Sequence, residues 1–531
     1  MDTKALRQKI LDLAIRGKLV PQDPNDEPAS VLLERIRAEK QQMVKDGKLK
    51  PKDIKNDTVI FKGDDNLHYE QFDDGTVKCI EDEIPFELPD GWSWAHLSDI
   101  VCVLNGDRGQ NYPAKSKLQR KGIPFVSASN IKDSVVSSNG LLCLSDSQYN
   151  ALGAGKLVAG DIVYCIRGSL GKCGVFTMEK GAIASSLVIV RSLLIEPYIT
   201  DYIFLYLNSP FADREIKKYD NGSAQPNLAA KDFMHFLIPV PPLEEIQRIN
   251  EQAREALGLV KHIQNGKDEL LATISATKSK ILDLAIRGKL VPQDPNDEPA
   301  SVLLERIRVE KEKLIKQGKI KRDKKESVIF KGEDNSYYEK IGDEITCIDD
   351  FLPFDIPDTW TWTRLKNIGD VIGGGTPKTN NHNYWDGEIP WVTPADLSGY
   401  NNMYIAYGSR FITELGLKES SAQLLPKDSV LFSSRAPIGY IAIAENAIAT
   451  NQGFKSVSPY ISGISEYLYF CLKRCTDDII QRASGTTFKE ISGSEMSETL
   501  VPIPSLNEQK KIVNLISDLF AAINNGEASL N

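Results

Sequence analysis

Two stretches of the sequence concentrate basic and amide side chains. The first, residues 104–131, reads LNGDRGQNYPAKSKLQRKGIPFVSASNI and holds a single acid, Asp107. Gln110, Asn111 and Tyr112 lie among its bases. Arginine and lysine bind phosphate oxygens, and arginine and amide side chains also reach base edges. The stretch therefore has the donors for a nucleic acid, and a solvated surface is the alternative interpretation. The candidate bases are Arg108, Lys115, Lys117, Arg120 and Lys121.

The second stretch, residues 373–397, reads GGGTPKTNNHNYWDGEIPWVTPADL and opens with a flexible, glycine-rich turn. It is not the phosphate loop of nucleotide hydrolases, because the pattern G-x-x-x-x-G-K-[ST] is not matched. The side chains after the glycines are nevertheless polar and suit contacts with phosphates or bases. A hydrogen bond within the loop is the alternative for the histidine. The candidates are Thr376, Lys378, Thr379, Asn380 and His382.

Two arginines occupy matching places in the chain. Arg167 in CIRGSLGKCG and Arg435 in SSRAPIG lie 268 residues apart, each just before a short turn that contains glycine. Any one of these residues could instead be a surface residue in a salt bridge, so the prediction of a binding surface rests on the set. The remaining candidates are Ser169, Lys172, Gln225, Gln452, Thr486, Thr487 and Lys489.

The sequence carries no pattern that predicts catalysis or a bound metal. We find no Asn-Pro-Pro-Tyr, Asn-Pro-Pro-Phe or Asp-Pro-Pro-Tyr methyltransferase motif, no nucleotide-binding loop and no nuclease carboxylate cluster. None of the five histidines is near a cysteine pair, so no structural zinc site is predicted. Cys471 and Cys475, one helical turn apart, are predicted to be buried thiols rather than a disulfide or metal ligands. We therefore predict a non-catalytic chain without a cofactor or metal of its own.

Composition points to a globular protein of the cytoplasm. The 531 residues are 41% hydrophobic and 26% charged, and the length suggests three to four domains. There is no apolar run of membrane-spanning length and no apolar core of a secretory signal at the N-terminus. The net charge of −9 at first argues against a nucleic-acid partner. However, residues 63–90 carry ten acids and one base, and residues 332–358 carry nine acids and one base, which leaves +8 on the rest of the chain.

The chain is an internal repeat. Residues 10–37, ILDLAIRGKLVPQDPNDEPASVLLERIR, return unchanged at 281–308, which is 28 identities at an offset of 271. VIFKGDDN at 59–66 returns as VIFKGEDN at 328–335, and later anchors follow in the same order. Between the anchors the two halves diverge strongly. The sequence therefore predicts two copies of one module, in which fixed segments alternate with variable segments near 92–238 and 360–501.

The fixed segments predict long helices. Apolar residues follow 3-4 spacing from Ile246 to Leu284, which indicates a coiled-coil seam of about 45 residues, or roughly 65–70 Å. The same register continues from Ile512 to Ile523 near one chain end and from Leu6 to Leu13 near the other. We therefore expect a second, antiparallel helix assembled from both ends, so that the modules close into a ring. A plain tandem duplication with ragged ends is the alternative.

The predicted fold class is α+β, with two pseudo-two-fold-related mixed α/β domains separated by two long antiparallel conserved helices in a coiled coil, circularly arranged. The predicted boundaries are 1–46 for the N-terminal repeat helices, 47–90 for an acidic linker, 91–240 for the first variable domain, 241–317 for the central conserved helices, 318–358 for a second acidic linker, 359–504 for the second variable domain and 505–531 for the C-terminal helix.

The whole pattern resembles the specificity subunit of type I DNA restriction–modification enzymes. The resemblance rests on the ILDLAIRGKLVPQDP repeat, on GGGTPKT…YW…IPWVTPADL, and on the helix starts PVPPLEEIQRI and PIPSLNEQKKI. It also rests on GSAQPNLAAKDF at 222–233 and GTTFKEISGSEM at 485–496. It covers essentially the full chain, and the repeated order of the motifs is more specific than any one of them.

The resemblance implies that each variable domain is a target-recognition domain that reads one half of a split site in double-stranded DNA. It implies that the conserved helices set the distance between the halves and dock two methyltransferase subunits, and that two restriction subunits, which carry the motor and nuclease, join this core. S-adenosylmethionine is then expected in the methyltransferase partner. A scaffold or interaction module that has lost DNA recognition is the alternative from another functional class.

Overall fold

The computed structural model describes residues 2–51, 54, 57–194, 196–220, 226–323, 326–485 and 489–529. The chain divides into two compact units, Met1–Lys267 and Asp268–Asn531. The domain number suggested by length, three to four, stays a prediction. In the first unit the repeat helices and part of the variable segment share a hydrophobic core, to which Leu11, Ile36 and Tyr202 belong.

The first unit and the helix that ends it contain the following elements in chain order: α1 Thr3–Ile15, α2 Ala29–Lys45, β1 Thr58–Lys62, β2 His68–Phe72, β3 Val77–Cys79, β4 Ser93–His96, α3 Leu97–Ile100, β5 Val101–Asn105, β6 Ile123–Val126, β7 Ile131–Lys132, β8 Val135–Val136, β9 Leu142–Leu144, α4 Asp146–Ala151, β10 Lys156–Val158, β11 Ile162–Cys165, β12 Cys173–Val175, β13 Lys180–Ile183, β14 Leu187–Ser192, α5 Pro197–Leu207, α6 Pro210–Tyr219, α7 Ala230–Met234, β15 Leu237–Val240 and α8 Leu243–Ile286.

The second unit continues with α9 Ala300–Lys316, β16 Ser327–Lys331, β17 Tyr337–Ile341, β18 Glu344–Cys347, β19 Thr361–Arg364, α10 Leu365–Ile368, β20 Gly369–Gly373, β21 Trp385–Val392, β22 Tyr404–Ile405, β23 Arg410–Ile412, α11 Glu414–Lys418, β24 Leu424–Leu425, β25 Val430–Ser434, β26 Ile438–Ala444, β27 Ile448–Thr450, β28 Lys455–Pro459, α12 Ser465–Arg474, α13 Thr476–Arg482, α14 Gly493–Ser497, β29 Leu500–Ile503 and α15 Leu506–Ala528.

The two variable segments share a sheet topology although their sequences diverge. In the first unit one sheet has the order β5-β14-β11-β12-β8-β7 and the other β10-β13-β6-β9. In the second unit the matching sheets are β20-β28-β25-β26-β22 and β24-β27-β21-β23. The parallel pairs also match, since β13 pairs with β6 as β27 pairs with β21. Each unit is therefore a copy of one mixed α/β fold.

The long helix is confirmed as α8, a single helix of 44 residues. In the first unit Ile246, Ile249 and Ala253 are buried along its start. The apolar seam is less complete than its sequence pattern suggests, because Ile263 and Leu270 are 41% and 44% exposed. Here the pattern overestimates burial: apolar residues at helical spacing are buried only where another element covers them.

The flanking helices run antiparallel to α8 within their own units. In the first unit Thr3 in α1 is hydrogen-bonded to Gln264, late in that unit's part of α8. In the second unit Lys278 Nζ lies 2.7 Å from Oε2 of Glu527 at the end of α15. The distance between the two chain ends stays a prediction, because residues 1, 530 and 531 lie outside the described residues.

The acidic segments predicted as linkers contain three-stranded antiparallel meanders, β1-β2-β3 and β16-β17-β18. The segment that leads into each meander is tied to the preceding repeat helix by a buried lysine. Lys40 Nζ in α2 lies 2.6 Å from Asp57 Oδ1, and Lys311 Nζ in α9 lies 2.6 Å from Asp323 Oδ2. The chain is therefore anchored on each repeat helix shortly before the meander begins.

Candidate nucleic-acid interface

In the first unit three loops meet at one end of the sheets. The Arg108 guanidinium, after β5, donates to the Ser185 carbonyl in the β13–β14 turn at 3.3 Å. The Tyr112 hydroxyl accepts from the Ser185 N–H at 3.4 Å. The Ile166 N–H, at the end of β11, donates to the Ser186 carbonyl at 3.0 Å. The predicted residues Arg108 and Arg167 are thus brought into one loop cluster by two serines that the sequence did not single out.

Asp107 shapes the first of these loops. Its carboxylate accepts from the Gly109 N–H at 2.7 Å and from the Gly153 N–H at 2.8 Å, and these hydrogen bonds lower the pKa of Asp107. The Asn111 amide donates to the Ala151 carbonyl at 2.8 Å. The one acid of this basic stretch is therefore occupied by backbone N–H groups, while Gln110 is exposed.

Four of the predicted bases lie farther along the same connection. Residues 115–117 form one turn of 3-10 helix, after which Gln119 pairs with Cys143. The four side chains are exposed, and no ion pair joins them to any residue that the structure describes. Four exposed cations without an ion pair in the described part of the chain suit contacts with phosphates. A phosphate can bind a point charge such as an ammonium group in more than one geometry. They are Lys115, Lys117, Arg120 and Lys121.

Arg167 lies beside the chain segment that precedes α7. Its Nε donates to Asn227 Oδ1 at 3.1 Å, and the Leu228 N–H donates to the Ile166 carbonyl at 2.9 Å. Ser169 and Lys172 are exposed in the turn that follows. This turn depends on glycine, because Gly171 has φ +78° and a Cβ there would lie 2.8 Å from Ile216. The predicted residue Gln225 lies outside the described residues.

The second unit assembles the same three loops. Thr376, after β20, is hydrogen-bonded to Gln452 in the β27–β28 turn. The Gly375 N–H donates to the Thr450 carbonyl at 2.8 Å. The glycines here serve close packing, since a Cβ on Gly375 would lie 2.3 Å from the backbone nitrogen of Ala422. Two separate predictions, Thr376 and Gln452, therefore fall on one contact.

Two tryptophan side chains donate hydrogen bonds to the backbone of this loop. Trp391 Nε1 donates to the Gly375 carbonyl at 2.9 Å, and Trp385 Nε1 donates to the Lys378 carbonyl at 3.2 Å. The guanidinium carbon of Arg410 lies 3.5 Å from the Trp385 ring centroid. Sequence reasoning missed Arg410, because 25 residues separate it from Trp385 and only the pairing of β21 with β23 brings them together.

The tip of the loop presents exposed polar side chains. Lys378, Thr379 and Asn380 are exposed, and so is His382 at the start of a short 3-10 helix. Asn381 caps that helix by accepting from the Asn383 N–H at 3.2 Å. Asn381 therefore caps the helix, and the side chains of the predicted residues beside it stay exposed to solvent.

Arg435 lies where Arg167 lies in the first unit. The Ser434 N–H donates to the Gly453 carbonyl at 2.7 Å, and the Ile491 N–H donates to the Ser434 carbonyl at 3.0 Å. These bonds repeat those made by Ile166, so the predicted equivalence of the two arginines is confirmed. The neighbour differs, since Arg435 forms an ion pair with Glu490 at 3.6 Å. Lys489 is exposed, and the predicted residues Thr486 and Thr487 lie outside the described residues.

Other polar and aromatic features have structural roles. The four tryptophans that open the variable segments are all buried: Trp92, Trp94, Trp360 and Trp362.

The described residues hold no group of three or more His, Cys, Asp or Glu side chains that could bind a metal ion. Cys471 and Cys475 are buried free thiols, as predicted, and burial raises the pKa of Cys475 to about 12. Among the helices described, none has the length and apolar character needed to cross a membrane.

Comparison with known proteins identifies a family. The model for the type I restriction modification DNA specificity domain matches residues 89–270 and 357–530. The type I restriction enzyme EcoAI specificity subunit of Escherichia coli is 28% identical, over 98% of this chain and 89% of its own. The MjaIX specificity subunit of Methanocaldococcus jannaschii is 46% identical over 164 residues, which are 30% of this chain and 38% of that protein. The crystal structure of the HsdS subunit from Thermoanaerobacter tengcongensis is 17% identical, covers 84% of this chain and 95% of its own, and has a TM-score of 0.35.

Proposed function

The chain belongs to the type I restriction modification DNA specificity family, and from this premise we propose how it reads DNA. Each unit binds one half of a bipartite site in double-stranded DNA with its three-loop cluster. The same backbone contacts recur in both units with different exposed side chains, and this observation supports the proposal. Conserved loop geometry with different donors suits two half-sites of different sequence.

The loop residues divide into two roles in this proposal. Lys115, Lys117, Arg120 and Lys121 contact phosphates, because they are exposed cations without an ion pair among the described residues. Residues held on the loop cluster itself read base edges, since their polar side chains lie at the cluster, either exposed or tied to a neighbouring loop through only part of the side chain. Arginine suits guanine and amides suit adenine in the major groove. The base readers are Arg108, Gln110, Arg167, Lys378, Asn380, Arg435 and Gln452.

The chain acts as the non-catalytic subunit of a larger complex. Two methyltransferase subunits bind the repeat helices, one to each unit, and two restriction subunits join them. This stoichiometry is supported by the identity of residues 10–37 and 281–308, which offer the same surface twice. The methyltransferase partner holds S-adenosylmethionine. The purified chain without partners is therefore expected neither to methylate nor to cleave DNA.

An exchange of one variable segment tests the proposal. Residues 360–501 are replaced by the corresponding segment of another family member, and methylated sites are mapped by sequencing the genome of a host that carries the whole system. We expect one half-site to change while the other half-site and the spacing stay the same. A change in both half-sites would contradict the proposal. Failure of the assembled complex to bind DNA even at low salt would favour a scaffold without DNA recognition.

A further inference from the structure

The two meanders expose the same face. In an antiparallel sheet, cross-strand partners lie on one side, and Val59 pairs with Gln71, which pairs with Val77. In the second unit Val328 pairs with Lys340, which pairs with Ile345. We call this side of each meander the outer face. Its residues are Val59, Phe61, Tyr69, Gln71, Val77 and Cys79 in the first unit, and Val328, Phe330, Tyr338, Lys340, Ile345 and Cys347 in the second.

The outer faces are apolar and largely open to solvent. Phe61 is 39% exposed and Phe330 38% exposed, while Val77 and Ile345 reach 48% and 55%. The opposite side is better covered, since Thr58, His68, Ser327 and Ile329 are buried there, and only its edge residues Phe72 and Ile341 reach 36% and 37% exposure among its apolar side chains. Single exposed apolar residues are common in folded proteins, but a contiguous group of them marks an interaction site.

The aromatic pair at the centre of each outer face is held in place. The rings of Phe61 and Tyr69 stack with centroids 5.9 Å apart, and the Tyr69 hydroxyl donates to Asp65 Oδ2 at 2.6 Å. Phe330 and Tyr338 stack at the same 5.9 Å, and the Tyr338 hydroxyl donates to an aspartate at 2.7 Å. A pre-ordered aromatic pair lowers the entropy cost of binding a partner.

The surroundings of both faces are acidic. The segments 63–90 and 332–358 carry net charges of −9 and −8. Most of these carboxylates are exposed, among them Asp64, Asp73 and Asp343. Such a field repels DNA and attracts a protein surface that carries lysine and arginine around an apolar patch.

We propose that each outer face docks one methyltransferase subunit, through an apolar patch bordered by lysine and arginine side chains. The inference rests on the proposed function for the presence of that subunit. Two observations select it as the occupant. The face recurs once in each unit, as a partner present in two copies requires. It also lies next to the repeat helices, because the buried lysines Lys40 and Lys311 pair with Asp57, directly before β1, and with Asp323, on the segment that leads to β16.

Native cysteines provide a direct test without any substitution. Cys79 and Cys347 lie on the outer faces and are exposed, whereas Cys102 is partly exposed and the other five cysteines are buried. The full chain is labelled with a maleimide, alone and in complex with the methyltransferase subunit, and the labelled peptides are quantified by mass spectrometry. We expect labelling of Cys79 and Cys347 to be at least tenfold slower in the complex. Equal rates with and without the partner would overturn the proposal.

Substitutions separate the two faces. We expect Phe61→Asn to reduce the bound methyltransferase from two copies to one by native mass spectrometry, and Phe61→Asn with Phe330→Asn to remove both. Val158→Asn in β10 and Leu424→Asn in the matching strand β24 are the controls, because these residues are 46% and 47% exposed outside the faces. The controls should keep two copies. A double outer-face variant that retains both copies would also overturn the proposal.

The remaining outcomes identify other occupants or a wider failure. Protection of Cys79 and Cys347 that grows with the concentration of the chain alone would assign the face to a second copy of this chain. Protection only after the restriction subunit is added would assign it to that subunit, and either result rejects the proposal. If the unaltered chain binds no methyltransferase subunit, the proposed function fails as well. If it binds while the two thiols stay reactive, only this inference fails.

Discussion

Arg435 forms an ion pair with Glu490, with 3.6 Å between Nη1 and Oε2. In the other unit the matching arginine, Arg167, faces the neutral Asn227. Lys455 also lies 3.5 Å from Glu490, so one carboxylate offsets two cations in the second unit. The two loop clusters therefore share a backbone but differ in the positive charge they offer to DNA.

Neutralising this acid should strengthen DNA binding. We expect Glu490→Gln to tighten the affinity of the assembled complex about two- to fivefold at low salt, the range of an exposed charge interaction. The slope of log affinity against log salt should become steeper by up to about one. Fluorescence anisotropy over a salt series measures both. Glu495→Gln is the control, since Glu495 pairs with Arg482 at 3.7 Å outside the loop cluster. Weaker binding by Glu490→Gln would contradict this role.

The free cations of the first unit should bind without regard to sequence. We expect Lys117→Ala with Arg120→Ala to weaken binding to specific and non-specific DNA alike and to reduce the salt slope by about two, close to one for each phosphate contact. Lys180→Ala is the matched control, because Lys180 is exposed in the same unit but lies 3.8 Å from Asp146. A loss confined to the specific site would instead identify these residues as base readers.

The sequence predicts the parts of the fold that have a period or a repeat. Helix α8 follows from apolar spacing, and the equivalence of Arg167 and Arg435 follows from their offset. The contacts that form the loop clusters have no such signal. Ser185 and Ser186 lie about 20 residues from Arg167 in a common dipeptide, and only the pairing of β11 with β14 brings them close.

In the two acidic segments, the high charge obscures the sequence pattern expected of strands. The acidic segments are predicted as linkers because acids dominate them, yet in Thr58–Lys62 the first three side chains are buried, exposed and half-buried in turn. A strand of five residues is too short for this alternation to stand out beside a charge of −9. Which base a loop side chain contacts has no signal in the sequence, because it depends on where the folded loop places that side chain in the groove.

Close packing of the loop after β20, which contains Gly375 and Thr376, gives a prediction specific to one half-site. Gly375→Ala would place a Cβ 2.3 Å from backbone atoms of Ser421 and Ala422. We expect a loss of about 1–3 kcal/mol in the free energy of unfolding, as for overpacking, and displacement of Thr376. Urea denaturation measures the first effect, and methylation mapping should show relaxed recognition of only one half-site. Gly373→Ala is the control, because the nearest atom there is Lys455 Cδ at 4.0 Å. Equal effects of the two substitutions would refute the packing argument.

Protonation links the first meander to its recognition domain. His96 Nε2 lies 3.0 Å from Glu70 Oε1, and its ring meets that of His235 edge to face. Burial lowers the pKa of His96, but the hydrogen bond to Glu70 and the charge of Asp99 outweigh burial, so the pKa is raised. Burial also raises the pKa of Asp99 to about 6. In the second unit the same position holds a permanent ion pair, Arg364 with Glu339.

The stability of the first meander should therefore fall as pH rises from 6 to 8. A histidine with a raised pKa stabilises the fold below its ordinary pKa of 6.5, and this contribution is lost as the pH passes its folded value. A buried aspartate with a raised pKa acts in the same direction, but its contribution is lost mainly between its ordinary pKa of 3.8 and about pH 6, so His96 accounts for most of the change above pH 6. Hydrogen exchange, corrected for intrinsic rates, should show residues 58–79 losing protection at pH 8 while residues 327–347 keep theirs. His96→Arg should remove the difference by copying the second unit. An identical pH response of the two meanders in the unaltered chain would show that the His96–Glu70 contact does not control it.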